Sequence, residues 1–353
     1  MEDAALETLF LPFARRTLSW PAEGGLFMHA RAAPPRDANV GRLLCETSFK
    51  PDADALQRAG YDVRASDDDA RARHSLVLLL PPRQRDAARA AMARAIAASS
   101  RGGRVVVSAA NADGARSAET DFARLAGPLE TLTKNKCRVF WTQPLDGPAD
   151  AGLAAQWRDL DAVRSVCDGR FLSRPGIFAW DRVDAASALL AANLPDDLAG
   201  SAADLGAGFG YLAAELLTRC PKIRALDAYE ADARALDLAR RNLGPFESRA
   251  QMQYCWHDVT AGLPRTYDVI VTNPPFHAQQ GVDRPDVGRR FIAAAAAALN
   301  EGGQLWLVAN RHLPYESVLG SSFGAVRRVT EQHGYKIVTA THVRPIRAKR
   351  ARS

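Results

Sequence analysis

The chain is poor in cysteine and lysine and has no long apolar run. Five thiols in 353 residues, at Cys45, Cys137, Cys167, Cys220 and Cys255, are odd in number, scattered and never form a C-x-x-C pair. That usage excludes a disulfide framework and the common zinc spacings. The longest apolar stretches, 76–80, 293–299 and 305–309, fall far short of the roughly 20 residues that a membrane span needs, so no membrane partner is expected. The opening Met1-Glu2-Asp3 is acidic and no apolar segment with a cleavage site follows it, so no secretory or mitochondrial leader is legible and the cytoplasm is the expected location. Only 6 of the 46 basic residues are lysine, the other 40 being arginine, within a net charge of +6. An arginine excess suits phosphate contacts, and biased codon usage would produce the same skew. What is present is globular: 47% hydrophobic and 24% charged residues, in a length that suits two cores of ordinary size.

Elements alternate along the chain. The run 76–80 is closed by Pro81-Pro82, a breaker-free Ala/Arg/Met helix spans 85–98, and Gly102-Gly103 precedes Val105-Val106-Val107, which together read as one strand–helix–strand unit. A helix around 118–125 and a strand at 138–142 continue the pattern. Pro, Gly and Asp concentrate at 143–152, a linker signal that divides the chain into 1–150 and 151–353. In the second part a short helix near 154–166, a strand-like stretch at 171–180 and a helix over 183–193 come first. Strands then fall at 202–205, 223–228, 252–256, 269–272, 305–309 and 335–339, with helices near 210–219, 231–242 and 287–299, the pattern of a doubly wound sheet. R-G-G-R-V-V-V at 101–107 and E-G-G-Q-L-W-L at 301–307 echo one another and imply a duplicated fold.

Three signals carry chemistry. The first is D-L-G-A-G-F-G, from Asp204 to Gly210. Gly206 and Gly208 at a strand-to-helix turn let a ligand approach the backbone, although a ligand-free turn or a nicotinamide site would use similar glycines. The second is Glu230, 22 residues after Gly208 at a strand end, placed to accept hydrogen bonds from ribose hydroxyls. Asp227 competes for that role, and a solvated acid at a helix start is the plain alternative. Asp258 closes the next strand and is placed to take an exocyclic adenine amine, with Trp256 or His257 beside the ring. The third and most specific is D-V-I-V-T-N-P-P-F-H, 268–277. Pro274 and Pro275 remove donors and leave the Asn273 and Pro274 carbonyls to accept from a substrate NH2 group. Holding both hydrogens biases a conjugated amine toward tetrahedral geometry with its lone pair exposed. Phe276 offers a stacking face for the base.

These residues resemble the class I S-adenosylmethionine-dependent methyltransferases that modify planar amines, and more closely the bacterial ribosomal RNA guanine-N2 methyltransferases. The likeness extends to P-G-I-F at 175–178 with Asp181, Asp184, Ser187 and Leu189-Leu190, to 299–315, and in the first half to N-A-D-G-A-R-S-A-E at 111–119. Departures stand at Ala179, Ala186 and Ala207, where members usually carry serine, glycine and often cysteine. The resemblance implies an α/β fold of two tandem Rossmann-like methyltransferase domains with mostly parallel, doubly wound sheets, the N-terminal one degenerate. It implies S-adenosylmethionine as cofactor, held by Asp204, Gly206, Gly208, Glu230 and Asp258, and methyl transfer to a guanine of ribosomal RNA or of a ribosomal subunit at Asn273, Pro274, Pro275 and Phe276. No metal enters, the protein is expected to be a monomer, and His277 or water is expected to relay the proton lost from the methylated amine. The first domain is expected to dock RNA, through Lys134, Lys136, Arg138 and Trp141 on one strand. The tail from Arg344 to Arg352 carries five positive charges without an acid and is expected to grip phosphate. Adenine in nucleic acid or a glutamine amide are rival acceptors; an oxidoreductase and a non-catalytic RNA-binding assembly factor are the rival classes.

Overall fold

The computed structural model describes residues 3–31, 42–65, 72–275 and 285–344. The chain forms two compact units, Met1–Arg164 with Arg174–Gly176, and Ser165–Ser173 with Ile177–Ser353. The division falls later than the Pro/Gly-rich stretch at 143–152. The helix Ala151–Arg158 follows that stretch directly, and its Ala154 and Trp157 join the first unit's core beside Met92 and Ile96, so apolar packing outweighs the turn chemistry that marks a linker.

The first unit holds strands β1 (Gly25–Met28), β2 (Leu43–Glu46), β3 (Asp62–Arg64), β4 (His74–Leu79), β5 (Ser99–Ala110), β6 (Leu129–Lys134) and β7 (Cys137–Thr142). A hairpin of β8 (Arg164–Val166) and β9 (Phe171–Ser173) follows. The second unit holds β10 (Ala199–Leu205), β11 (Lys222–Glu230), β12 (Gln251–Trp256), β13 (Tyr267–Thr272), β14 (Leu299–Asn310), β15 (Phe323–Gln332) and β16 (Tyr335–Val343). The two seven-stranded sheets run β3-β2-β1-β4-β5-β7-β6 and β12-β11-β10-β13-β14-β16-β15, one order written twice. In each, the last two pairings are antiparallel, so that β7 and β16 run against the direction of their neighbours.

The inner strands read as apolar runs because both faces are covered. Along β4 and the residue after it, Leu76, Leu78 and Leu80 enter one core while Val77 and Leu79 enter the other. In β13, Val269 and Val271 face one core and Ile270 the opposite one, the alternation that a pleated strand imposes. The glycine echo marks equivalent places: Gly102 and Gly302 both have positive φ, +75° and +78°, and the next residues put Arg104 beside Leu76 and Gln304 beside Val269.

The expected strand over 171–180 is only Phe171–Ser173, since Pro175 and Gly176 (φ +88°) turn the chain away. Trp141 does not offer an aromatic surface: it is 1% exposed and packs in the core with Phe27 and Leu78. Arg138 on the same strand is committed to Glu119 at 2.6 Å, while Lys134 ends β6 and Lys136 lies in the turn before β7 (φ +57°), both exposed, so the four residues do not share one strand. Among the described residues no helix is long and apolar enough to cross a membrane.

Candidate active site

The three signals meet at the C-terminal ends of β10, β11, β12 and β13, the edge where open α/β sheets place ligands. At the end of β10 the chain turns through Gly206 (φ +76°) and Gly208 (φ +56°) into the helix Tyr211–Arg219. The Gly206 and Ala207 amides both donate to the Tyr229 carbonyl, at 2.9 and 3.0 Å. A Cβ built on Gly208 would meet nothing within 4 Å, so glycine there serves backbone conformation and open space, not internal packing. At Gly210 the added carbon would lie 3.3 Å from the Ala239 Cα, a packing requirement instead.

Glu230 ends β11 and closes the turn from the other side. Its Oε2 accepts from the Gly208 amide at 2.8 Å and its Oε1 from the Asp232 amide at 2.8 Å. Burial pushes its pKa up against those bonds, and each oxygen retains a lone pair for a further donor. Asp227 is engaged elsewhere, accepting from the Tyr267 hydroxyl at 2.7 Å and from Arg265 at 3.2 Å, which leaves Glu230 as the acid at the strand end. Asp258 caps the short turn Val259–Ala261 through Thr260. Trp256 donates to the Ala231 carbonyl at 2.9 Å, and the His257 ring sits against Tyr229, so both rings are held in place.

Asp204 is fully buried at the end of β10. Its Oδ2 accepts from the Ala213 amide at 3.0 Å, while Oδ1 is buried with no hydrogen-bond partner among the described residues. Burial, together with nearby Glu230, pushes its pKa up to about 7. An unmatched buried carboxylate oxygen is costly, and a cationic or N–H-bearing ligand is the kind of group that offsets the cost.

Asn273 follows β13 directly. Its Nδ2 donates to Asp184 Oδ2 and to Ser187 Oγ, both at 2.9 Å. A carboxylate only accepts, so the amide nitrogen must face Asp184 and the carbonyl must face away. That Oδ1 is buried without a partner among the described residues. Asp184 also caps the helix Ala185–Asn193, accepting from the Ser187 amide at 2.9 Å. Thr272, one residue earlier, donates to the Leu205 carbonyl at 2.7 Å and ties the ends of β13 and β10 together. The glycine turn is adjacent, since a Cβ on Gly206 would stand 4.0 Å from the Asn273 carbonyl oxygen. Pro274 is buried and Pro275 exposed. Phe276 and His277 lie outside the described residues, as does the tail beyond Arg344.

Asp184 and Ser187 belong to the stretch that carries the resemblance, but their contact with Asn273 is what motif reading misses. Their sequence signal is a helix N-cap with a small polar residue three positions on, and nothing in it points to a partner 86 or 89 residues away.

Residues 168–339 match the methyltransferase small domain family. The chain is 30% identical over 244 residues to a ribosomal RNA small subunit methyltransferase C of Yersinia enterocolitica, an alignment covering 69% of this chain and 67% of that protein. A Yersinia pseudotuberculosis protein of the same name is 31% identical over 241 residues, covering 67% and 66%; the match thus spans about two thirds of these relatives' length. Among solved structures, a T. thermophilus 16S rRNA N2 methyltransferase in complex with AdoMet and guanosine superposes with a TM-score of 0.78 at 23% identity, over 96% of this chain and 91% of that one. That likeness extends the fold agreement to both units.

Proposed function

The chain belongs to the ribosomal RNA small subunit methyltransferase C family, and from that premise we propose that it is an S-adenosylmethionine-dependent enzyme that methylates the exocyclic N2 amine of a guanine in ribosomal RNA. The observation that carries the reading is the Asn273 carboxamide, its nitrogen pinned by Asp184 and Ser187 and its oxygen buried without a partner among the described residues. An acceptor held in this way is matched by an N–H donor from outside the protein, and a base amine supplies one.

The residues present fit the cofactor. Gly208 leaves the turn open, the Asp204 Oδ1 lacks a donor among the described residues, and Glu230 stands at the end of β11; these three features, with Gly206 and Asp258, would hold it. When bound, S-adenosylmethionine supplies a methyl group on a positively charged sulfur. The protein's own work is orientation. Asn273 Oδ1 and the Pro274 carbonyl accept the two amine hydrogens, which draws the nitrogen out of conjugation and exposes its lone pair. Pro275 follows on the same segment, and the Phe276 ring is the group that would stack on the base. The base must leave its stack to arrive, at a cost of a few kcal/mol, so an opened or single-stranded site is the expected target. The catalytic work falls to the second unit and RNA handling to the first, in a cytoplasmic monomer. A dinucleotide oxidoreductase would have no use for a pinned carboxamide beside two prolines.

Asn273→Ala tests the reading. S-adenosylmethionine should still bind in calorimetry while methyl transfer to ribosomal RNA falls by orders of magnitude, and near-normal turnover would refute the amine clamp. Nucleosides from a deletion strain should lack one N2-methylguanosine by mass spectrometry.

A further inference from the structure

The first unit keeps the frame of this site and has lost its chemistry. Aligning Gly102-Gly103 with Gly302-Gly303 and following the ladders sets Leu79 against Thr272. Leu80-Pro81-Pro82 therefore stands where Asn273-Pro274-Pro275 stands in the second unit. Helix Ala4–Leu9 ahead of β1 and helix Ala185–Asn193 ahead of β10 are each capped by an aspartate, Asp3 and Asp184, although the short helix Leu11–Ala14 intervenes in the first unit. With leucine in place of asparagine, Asp3 has no carboxamide to hold, and its Oδ2 instead accepts from Arg31 at 2.8 Å.

At this place, beyond the ends of β4 and β5, lies a cavity of about 250 Å³. Pro81, Met92 and Ala109 give it apolar walls, and Arg31, Arg83, Arg85 and Arg89 reach it against two carboxylates, Asp113 and Asp121, among the described residues. Asp121 is 4% exposed and receives two N–H bonds from each of Arg85 and Arg89, between 2.9 and 3.2 Å. Burial pushes its carboxyl up, and the four bonds outweigh that and hold it below the usual range. One buried anion thus sets two guanidiniums in place without neutralising both. Arg83 meets Asp113 at 2.9 Å, and the Arg83 and Arg85 side chains remain 44% and 63% exposed. A guanidinium has five donors, and each of these arginines keeps N–H groups free for a second acceptor.

We propose that this cavity is a phosphate-binding site for the RNA strand, a decayed acceptor pocket in which arginines have replaced the amine clamp. The proposal rests on the RNA methyltransferase reading for the identity of the strand. Pre-set, partly exposed guanidiniums above an apolar floor suit a phosphate with its ribose, and a strand held there is anchored by charge rather than by base identity.

The test uses the full chain. Arg83→Gln/Arg85→Gln should weaken binding of a ribosomal RNA fragment about tenfold and lower the log–log salt slope by roughly one to two. It should raise KM for RNA while leaving kcat at saturating RNA and the S-adenosylmethionine affinity unchanged. Arg83→Lys/Arg85→Lys should keep most of the slope. Unchanged RNA affinity and slope in a folded Gln variant would overturn the site. On the wild-type protein, RNA should shield Arg83 and Arg85 from phenylglyoxal, read by peptide mass spectrometry, where equal concentrations of guanosine monophosphate do not. Shielding by the mononucleotide and not by RNA, or no shielding at all, would also overturn it. Methyl incorporation is scored in the same samples. Its absence beside intact shielding would sink the methyltransferase reading and leave the phosphate site standing.

Discussion

The two units differ at a handful of positions that decide everything chemical. Through the paired ladders, Phe27 stands where Asp204 stands, Thr47 where Glu230 stands and Leu80 where Asn273 stands. Even the amide of the following loop keeps its role, Ala30 donating to the Glu46 carbonyl at 2.8 Å as Ala207 donates to that of Tyr229 at 3.0 Å. His29 takes the positive φ, +52°, that Gly206 takes at +76°. Strand order survives because it depends on which faces are apolar, and dozens of residues share that task. The chemistry is lost with three side chains because each must present one charge or one oxygen at one place. Phe27 and Leu80 also fill the space they occupy, being 0% and 1% exposed, so the first unit has exchanged unmatched polar atoms for packing.

That exchange predicts opposite responses to one kind of truncation. Asn273→Ala should lower methyl transfer by at least about a hundredfold to a thousandfold, the scale for removing one preorganised polar group from a reacting centre, with little change in melting temperature. Leu80→Ala at the matching position should leave kcat intact and cost roughly 2–5 kcal/mol of stability from a buried cavity. A Leu80→Ala variant of unchanged stability and lost activity would break the comparison.

The aspartate makes a pH test. Because the Asp204 pKa is raised from 3.8 to about 7, the folded state holds its proton more tightly than the unfolded chain does between those values. Its contribution is present in full below about pH 4 and is lost as pH rises to about 7. The second unit should therefore melt at lower temperature across that window, Asp204→Asn should flatten the trend, and S-adenosylmethionine should offset it at the upper end. No trend of this origin belongs to the first unit, where Phe27 cannot titrate. A pH-independent melting difference between Asp204→Asn and the parent would remove the argument.

The smallest effect sharpens the clamp. Ser187→Ala deletes one of the two acceptors that orient the Asn273 amide, while Asp184 keeps the other. One hydrogen bond of about 1 kcal/mol corresponds to a drop of several-fold in kcat, with the cofactor affinity unmoved. Loss of cofactor binding instead would place Ser187 in the donor site.

Much of the frame was legible. Helix Arg85–Ala98 carries a breaker-free helical pattern, and strands β4 and β13 carry the apolar runs 76–79 and 269–271 because both sheet faces are buried. Edge strand β15 was missed because most of Phe323–Gln332 is exposed and its pattern belongs to no core. β1, β2 and β3, three or four residues each, are too short to show a period. Glu230 and Asn273 could be singled out because each ends a readable strand. The division between the units was displaced because Trp157 packs backwards across the turn-rich stretch, which local composition does not report.

What the sequence determined alone was the order of elements and the identity of groups able to bind a donor and an amine, since periodicity and side-chain chemistry are local properties. Only the tertiary structure decided that the Asn273 oxygen lacks a partner among the described residues, that Asp184 and Ser187 aim it, that Trp141 is core, and that Leu80-Pro81-Pro82 is the same place in another sheet. Those facts depend on which distant segments become neighbours, and folding alone brings them within hydrogen-bond reach.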